Sequence, residues 1–138
     1  MASKLNPYLN FRGEAQAALD FYHSVFGGEL AVDTFSGFGM PTENPAEADW
    51  VMHGQLDSPA GFTLMASDVP PEHQKPLGGF SVSYHAADEA EAERVFAALA
   101  GGGTVTMPLA PTFWAKRFGM LVDRFGVPWM VNCAAPVA

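Results

Sequence analysis

Residues 80–103 read FSVSYHAADEAEAERVFAALAGGG, and the way this stretch divides decides the fold. Phe80 to Ala86 alternates apolar and polar side chains, the pattern of a half-buried strand. Asp88 followed by Glu91 makes a capping-box-like start for a helix, behind which Ala92, Val95, Phe96 and Leu99 recur at helical spacing. Gly101-Gly102-Gly103 ends that helix. Thr104 to Leu109, Phe113 to Asp123 and Pro128 to Cys133 read as three more strands, with Arg124-Phe125-Gly126 as the turn between the last two.

The first half of the chain has the same order. Leu5 to Phe11 alternates, with Leu5, Leu9 and Phe11 on one side and Asn6, Tyr8 and Asn10 on the other. A helix follows from Glu14, with Ala15, Ala18, Tyr22, Val25 and Phe26 at helical spacing and Gly27-Gly28 as its stop. Leu30 to Phe35 reads as a strand and Gly37 to Asp49 as a long loop. Trp50 to Asp57 and Phe62 to Asp68 then read as strands joined by the turn Ser58-Pro59-Ala60-Gly61. Tyr8, Phe21 and Gly28 stand against Ser83, Phe96 and Gly103 at a constant offset, 83 − 8 = 75. Asp57 and Asp123 differ by 123 − 57 = 66, and the nine-residue deficit is assigned to the longer first loop.

These observations predict an α+β fold made of a duplicated βαβββ unit, the two paired units forming curved mixed sheets around a cleft. The whole of 1–138 is read as one domain, with unit one about 1–70, a linker at 71–78 and unit two about 79–138. Each sheet is expected to bury one face under its helix, taking Phe21, Phe26, Phe96 and Leu99 into the core. Trp129 is expected to pack against the second helix.

Composition excludes several classes of function. Seven Lys+Arg against fifteen Asp+Glu give a net charge of −8 over 138 residues, and the sequence pI is about 4.7. No basic stripe is left to displace counterions from phosphates, so no nucleic-acid partner is expected. The uncharged run from Val95 to Ala115 is broken by Gly101 to Gly103, Pro108 and Pro111, so no membrane partner is expected either. The single cysteine, Cys133, cannot form an internal disulfide, and the N-terminus lacks a signal-peptide core, which makes the cytoplasm the expected compartment. Charged residues are only 16% of the chain and apolar ones 49%, an apolar surplus that suits a ligand cavity or a subunit surface.

Five segments, in order and spacing, carry a family resemblance. They are Asn6-Pro7-Tyr8-Leu9-Asn10-Phe11, Ala17-Ala18-Leu19-Asp20-Phe21-Tyr22 with Val25-Phe26-Gly27-Gly28, Val51-Met52-His53 with Leu64-Met65-Ala66-Ser67-Asp68, Phe113-Trp114-Ala115-Lys116-Arg117-Phe118-Gly119, and Asp123-Arg124-Phe125-Gly126-Val127-Pro128-Trp129. With the duplicated unit, they make the chain resemble the vicinal oxygen chelate superfamily of glyoxalase I, bleomycin- and fosfomycin-resistance proteins and extradiol dioxygenases, and within it the PhnB-like branch. The resemblance implies a homodimer that binds a small molecule. Members of this branch carry a demethylubiquinone methyltransferase-like label, but the only run of three glycines, Gly101 to Gly103, follows a helix instead of opening one after a strand, which is not the form of a nucleotide or S-adenosylmethionine loop.

The superfamily's enzymes hold a divalent ion with His and Glu side chains, and by resemblance those positions fall near Tyr8, Met65, Ser81 or Ser83, and Met130. Thioethers are soft ligands and hydroxyls weak ones, so no metal and no cofactor are expected. A substitute site from His53, His85 and a carboxylate would lack metal-ligand spacing in the sequence. The expected ligand-binding residues are Tyr8, Asn10, His53, Gln55, Met65, Trp114, Arg117 and Met130. His53 has two readings, an acid or base facing the cleft or a histidine satisfied by a neighbouring strand. Arg117 also has two, a clamp for an anionic ligand or a surface charge balancing the acids. Asp57, Asp68 and Asp123 read as turn residues. Three functions follow: metal-free binding of a small molecule in an apolar cleft, a divalent-metal lyase, isomerase or dioxygenase with relocated ligands, and a drug-sequestering resistance protein.

Overall fold

The computed structural model describes residues 3–39, 41, 42, 44–70 and 78–134. The first unit runs β1 (Tyr8–Phe11), α1 (Ala15–Phe26), β2 (Glu29–Thr34), β3 (Val51–Asp57) and β4 (Thr63–Asp68). The second runs β5 (Val82–His85), α2 (Glu89–Ala100), β6 (Thr104–Ala110), β7 (Ala115–Val122) and β8 (Pro128–Ala134). The chain divides into two compact units, Met1–Lys75 and Pro76–Ala138. The expected linker at 71–78 lies, except for its last residue, outside the described residues.

Each unit is an open four-stranded mixed sheet with one helix, ordered β1-β4-β3-β2 and β5-β8-β7-β6. The first strand of each unit runs parallel to the last, and the other pairings are antiparallel. The expected α+β duplication is therefore present at the level of hydrogen-bonding order. Register sharpens it. Tyr8 pairs with Met65 and Ser83 with Met130, so β1 maps onto β5 with an offset of 83 − 8 = 75 and β4 onto β8 with 130 − 65 = 65. Gly28 and Gly103 mark the same point in both units, where an added Cβ would lie 2.0 Å from the Asp57 carbonyl oxygen and 2.3 Å from that of Val122.

This register corrects the match of Asp57 to Asp123. Val122 occupies the place of Asp57, since Glu29 pairs with Asp57 and Thr104 with Val122. Asp123 corresponds instead to Ser58. Both accept the last amide of their turn, Gly61 N to Ser58 O and Gly126 N to Asp123 O, each at 3.0 Å. The first unit's surplus is thus 75 − 65 = 10 residues between β2 and β3, where two short 3-10 turns, Ser36–Phe38 and Pro45–Glu47, interrupt the expected loop.

The helices cover one face of each sheet. Asp88 caps α2 by accepting a hydrogen bond from the Glu91 amide at 2.8 Å, and Ala92, Val95, Phe96 and Leu99 are buried. Trp129 is buried on the same side as Val131 and Cys133, as its alternation predicts. In α1 the deep positions belong to Leu19 and Tyr22, whereas Phe21 and Phe26 are only half-buried. The reason is local: β3 places Gly54 beneath Leu19, where a Cβ would come within 2.2 Å of Leu19 Cδ1, so the helix seats a leucine where the strand has no side chain. The first strand starts at Tyr8, later than expected, because Pro7 has no amide to donate and Leu5 is 99% exposed.

Two aspartates expected in turns are buried braces. Asp68 Oδ1 accepts from the amides of Gly13 at 2.7 Å and Ala15 at 3.0 Å, and its Oδ2 from the amide of Val51 at 3.0 Å. It ties the end of β4 to the start of α1 and of β3. Asp123 accepts from the amides of Phe125 and Val127 and from the Trp129 indole at 2.8 Å. On the helix side of β5, the Tyr84 hydroxyl donates to Glu91. Burial, then that hydrogen bond, pushes the Tyr84 phenol up from 10.0 to about 12. Its stabilising contribution is therefore complete below pH 10.0 and declines as the pH rises towards 12. Ultraviolet titration is expected to find a late-ionising tyrosine that Glu91→Gln shifts down.

Candidate functional site

The face of each sheet that carries no helix holds the candidate residues. In the first unit, one cross-strand row reads Tyr8, Met65, Gln55, Ala31. The next row contains Asn10 and Ser67, with His53 and Asp33 paired across β3 and β2. Alternation along β3 puts His53 on the same face as Gln55. Tyr8 Oη and His53 Nδ1 share a hydrogen bond at 3.2 Å, their rings 5.7 Å apart. Ser67 Oγ donates to Asn10 Oδ1 at 3.4 Å. Gln55 Nε2 donates to both carboxylate oxygens of Asp57, at 3.2 and 3.0 Å, and Thr63 Oγ1 donates at 2.7 Å. The Thr63 hydroxyl foremost, then the Gln55 amide, holds the Asp57 carboxyl below its ordinary value.

This face brings together five of the expected residues, Tyr8, Asn10, His53, Gln55 and Met65, and it is mostly polar. Tyr8, two strands away on β1, supplies a hydrogen-bond partner for His53, whose ring stays half-exposed. The sequence also failed to show a carboxylate near it. Register places Asp33 directly opposite His53, a neighbour that becomes visible only once the β2–β3 pairing is known.

The second unit's open face has the opposite chemistry. One row reads Met107, Met120, Met130, Ser83 across β6, β7, β8 and β5. The adjacent row reads Ala110, Phe118, Asn132, His85. Leu121, Trp129 and Val131 are buried on the helix side, which leaves Met120 and Met130 on the open one. Trp114 stacks edge-on with Phe118 at 5.4 Å and with Phe113 at 4.8 Å, and is 50% exposed. Asn132 Nδ2 lies 3.2 Å from His85 Nδ1, and His85 is the exposed last residue of β5. The Asn132 Oδ1 atom is buried with no hydrogen-bond partner among the described residues.

Trp114 and Met130 thus share this face with Met107, Phe118, Met120 and Asn132, which sequence reasoning missed. Alternation outward from Met130 and its β7 partner would have found Met120 and Phe118; the bulges of β6 hide Met107. Arg117 goes elsewhere. It has the parity of Gly119 and Leu121, and its guanidinium reaches the helix, with Nη1 3.0 Å from Glu89 Oε1 and Nε 3.5 Å from Glu93 Oε1. The structure gives it to α2 and not to the open face. An exposed pair of this kind contributes little, roughly 0–1 kcal/mol.

The positions that the family resemblance assigns to metal ligands are real equivalents here, Tyr8 beside Met65 and Ser83 beside Met130. Their donors are a phenol, a hydroxyl and two thioethers, with no carboxylate or imidazole, and this set does not fit a hard divalent ion. Among the described residues no three His, Cys, Asp or Glu side chains gather in a way that could hold a metal. No described helix is long and apolar enough to cross a membrane.

A duplicated βαβββ unit with one helix-free face per sheet defines the α+β class of this chain. The chain belongs to the Glyoxalase/Bleomycin resistance protein/Dioxygenase superfamily, whose sequence profile matches residues 4–131. It is 33% identical over 139 residues to protein YjdN of Escherichia coli strain K12, covering 93% of each chain. Among solved structures it is similar to protein PA1353 from Pseudomonas aeruginosa, with 46% identity, a TM-score of 0.83, and coverage of 96% of this chain and 98% of that one. A PhnB protein from Bacillus cereus, which carries a 3-demethylubiquinone-9 3-methyltransferase label, matches at 27% identity with a TM-score of 0.75, over 96% of this chain and 100% of that one. The PhnB-like branch is therefore the right place for this sequence.

Proposed function

We propose that the chain binds an uncharged, apolar small molecule on the open face of its second unit and does so without a resident hard divalent ion. The observation that carries this reading is the row Met107, Met120, Met130, flanked by Phe118 and Trp114. Thioethers are flexible and polarizable and make favourable contacts with aromatic rings, so such a row adapts to flat ligands of varied outline. Two to three rings on an apolar face, with a few polar groups at its margin such as Asn132 and His85, match the usual make-up of a ligand site. The first unit's open face offers hydrogen bonds from Tyr8, Asn10, His53 and Gln55 around Met65, a surface suited to a polar functional group. The hard-ion chemistry of related enzymes has no donor set to support it here.

The test uses a neutral naphthylamine dye and the full chain purified without an affinity-column metal. Saturable binding that quenches Trp114 emission is expected, and stripping with a strong chelator is expected to leave the affinity unchanged. Dye binding that vanishes on chelation and returns with zinc or magnesium would overturn the metal-free reading. The absence of saturable binding in either preparation would overturn the ligand reading itself.

A further inference from the structure

We propose that the second unit's open face is a binding site for a soft monovalent metal ion, Cu(I), held by the thioether sulfurs of Met107, Met120 and Met130. This goes beyond the small-molecule reading and does not rest on it. Three of the chain's seven methionines occupy one cross-strand row, Met107 opposite Met120 and Met120 opposite Met130. Side chains directly opposite one another in an antiparallel pair have Cβ atoms only about 4.5–5.5 Å apart. Each methionine side chain has three rotatable bonds, so the two outer thioethers can lean over the central one and present three sulfurs to a single ion.

The donors select the ion. Thioethers are soft and favour Cu(I) over zinc, magnesium or calcium, which prefer imidazole, thiolate or carboxylate oxygen. They are also neutral, so every charge on the ion stays uncompensated by its ligands, which disfavours a divalent cation against a monovalent one. The net charge of −8 on the chain attracts cations of any kind at longer range. Met107 is 44% exposed, so the row is reachable from solvent at its β6 end, and the adjacent row carries Phe118, against which the Trp114 ring packs. The equivalent row of the first unit holds Ala31, Gln55, Met65 and Tyr8, a single thioether, and it is not a site of this kind.

The experiment is an anaerobic titration of the full chain with Cu(I) against a chromophoric Cu(I) chelator. About one equivalent of tight Cu(I) is expected, with no competition from zinc or magnesium. Met120→Leu, which keeps the volume and apolarity of the central position, is expected to weaken Cu(I) binding by at least about tenfold, and Met107→Leu and Met130→Leu by similar factors. Circular dichroism melts of each variant confirm that the fold is kept. Cys133→Ser is expected to leave Cu(I) affinity unchanged. The proposal is overturned if the wild-type chain fails to take Cu(I) from the chelator, if Met120→Leu binds it as well as wild type, or if Cys133→Ser abolishes binding. Because dye binding is measured on the wild-type chain in the absence of Cu(I), failure here and failure of the small-molecule reading are separate results.

Discussion

Asp68→Ala is expected to lower the unfolding free energy by about 4 kcal/mol, because it strands two fully buried backbone amides at about 1–3 kcal/mol each and removes a charge-assisted acceptor from a third. Asp68 is 2% exposed, so water cannot replace the lost carboxylate without opening the junction of β4, α1 and β3. Domains of this size are stable by only about 5–15 kcal/mol, so the variant should sit close to its unfolding threshold. Urea unfolding followed by circular dichroism measures the effect. Asp33→Ala, at an exposed strand position, is the comparison and should change stability by no more than about 0.5 kcal/mol. Equal stabilities for Asp68→Ala and wild type would mean that the brace is replaced by solvent.

Met120→Glu is expected to weaken naphthylamine binding by at least about thirtyfold, the equivalent of about 2 kcal/mol, because a ligand would have to desolvate a carboxylate placed between Met107 and Met130. The side chain is half-buried on the helix-free face, so the fold should survive the change better than it would at Leu121, its buried neighbour. Met120→Leu should hold the dye affinity within about threefold, since volume and apolarity are preserved. Fluorescence titration of the three proteins decides the matter. Equal affinities would remove the thioether row from the ligand account.

The duplication was readable because its signals are local. Alternation marks a strand, helical spacing marks an amphipathic helix, and glycines sit where the chain must pass close to a carbonyl, as Gly28 and Gly103 do. The Asp57 to Asp123 match went astray because an identical letter outweighed hydrogen bonding; Ser58 and Asp123 share the turn geometry although their side chains differ. Asp68 looked like a turn residue because nothing in a linear reading shows three amides from distant segments converging on one carboxylate.

The candidate site was legible in the same proportion. Tyr8, Asn10, His53, Gln55 and Met65 fall on one face because each follows from parity within a single strand. The second unit's row depends on pairing between strands and on register shifts in β6, which no single segment encodes, and so Met107 and Met120 stayed hidden beside Met130. Arg117 shows the converse: its parity with Gly119 and Leu121 already sends it to the helix side, where Glu89 and Glu93 receive it. Charge drew attention to it as a ligand clamp, whereas alternation was the better guide.

The proposed place for a small apolar molecule is the methionine row of the second unit. Methyl-labelled methionine NMR during naphthylamine titration tests it most directly, because each of the seven methionines reports separately. The Met107, Met120 and Met130 methyl signals are expected to move together and saturate, while that of Met52, which lies on the first unit's β3, stays in place. Saturable binding that leaves those three signals unmoved would contradict it.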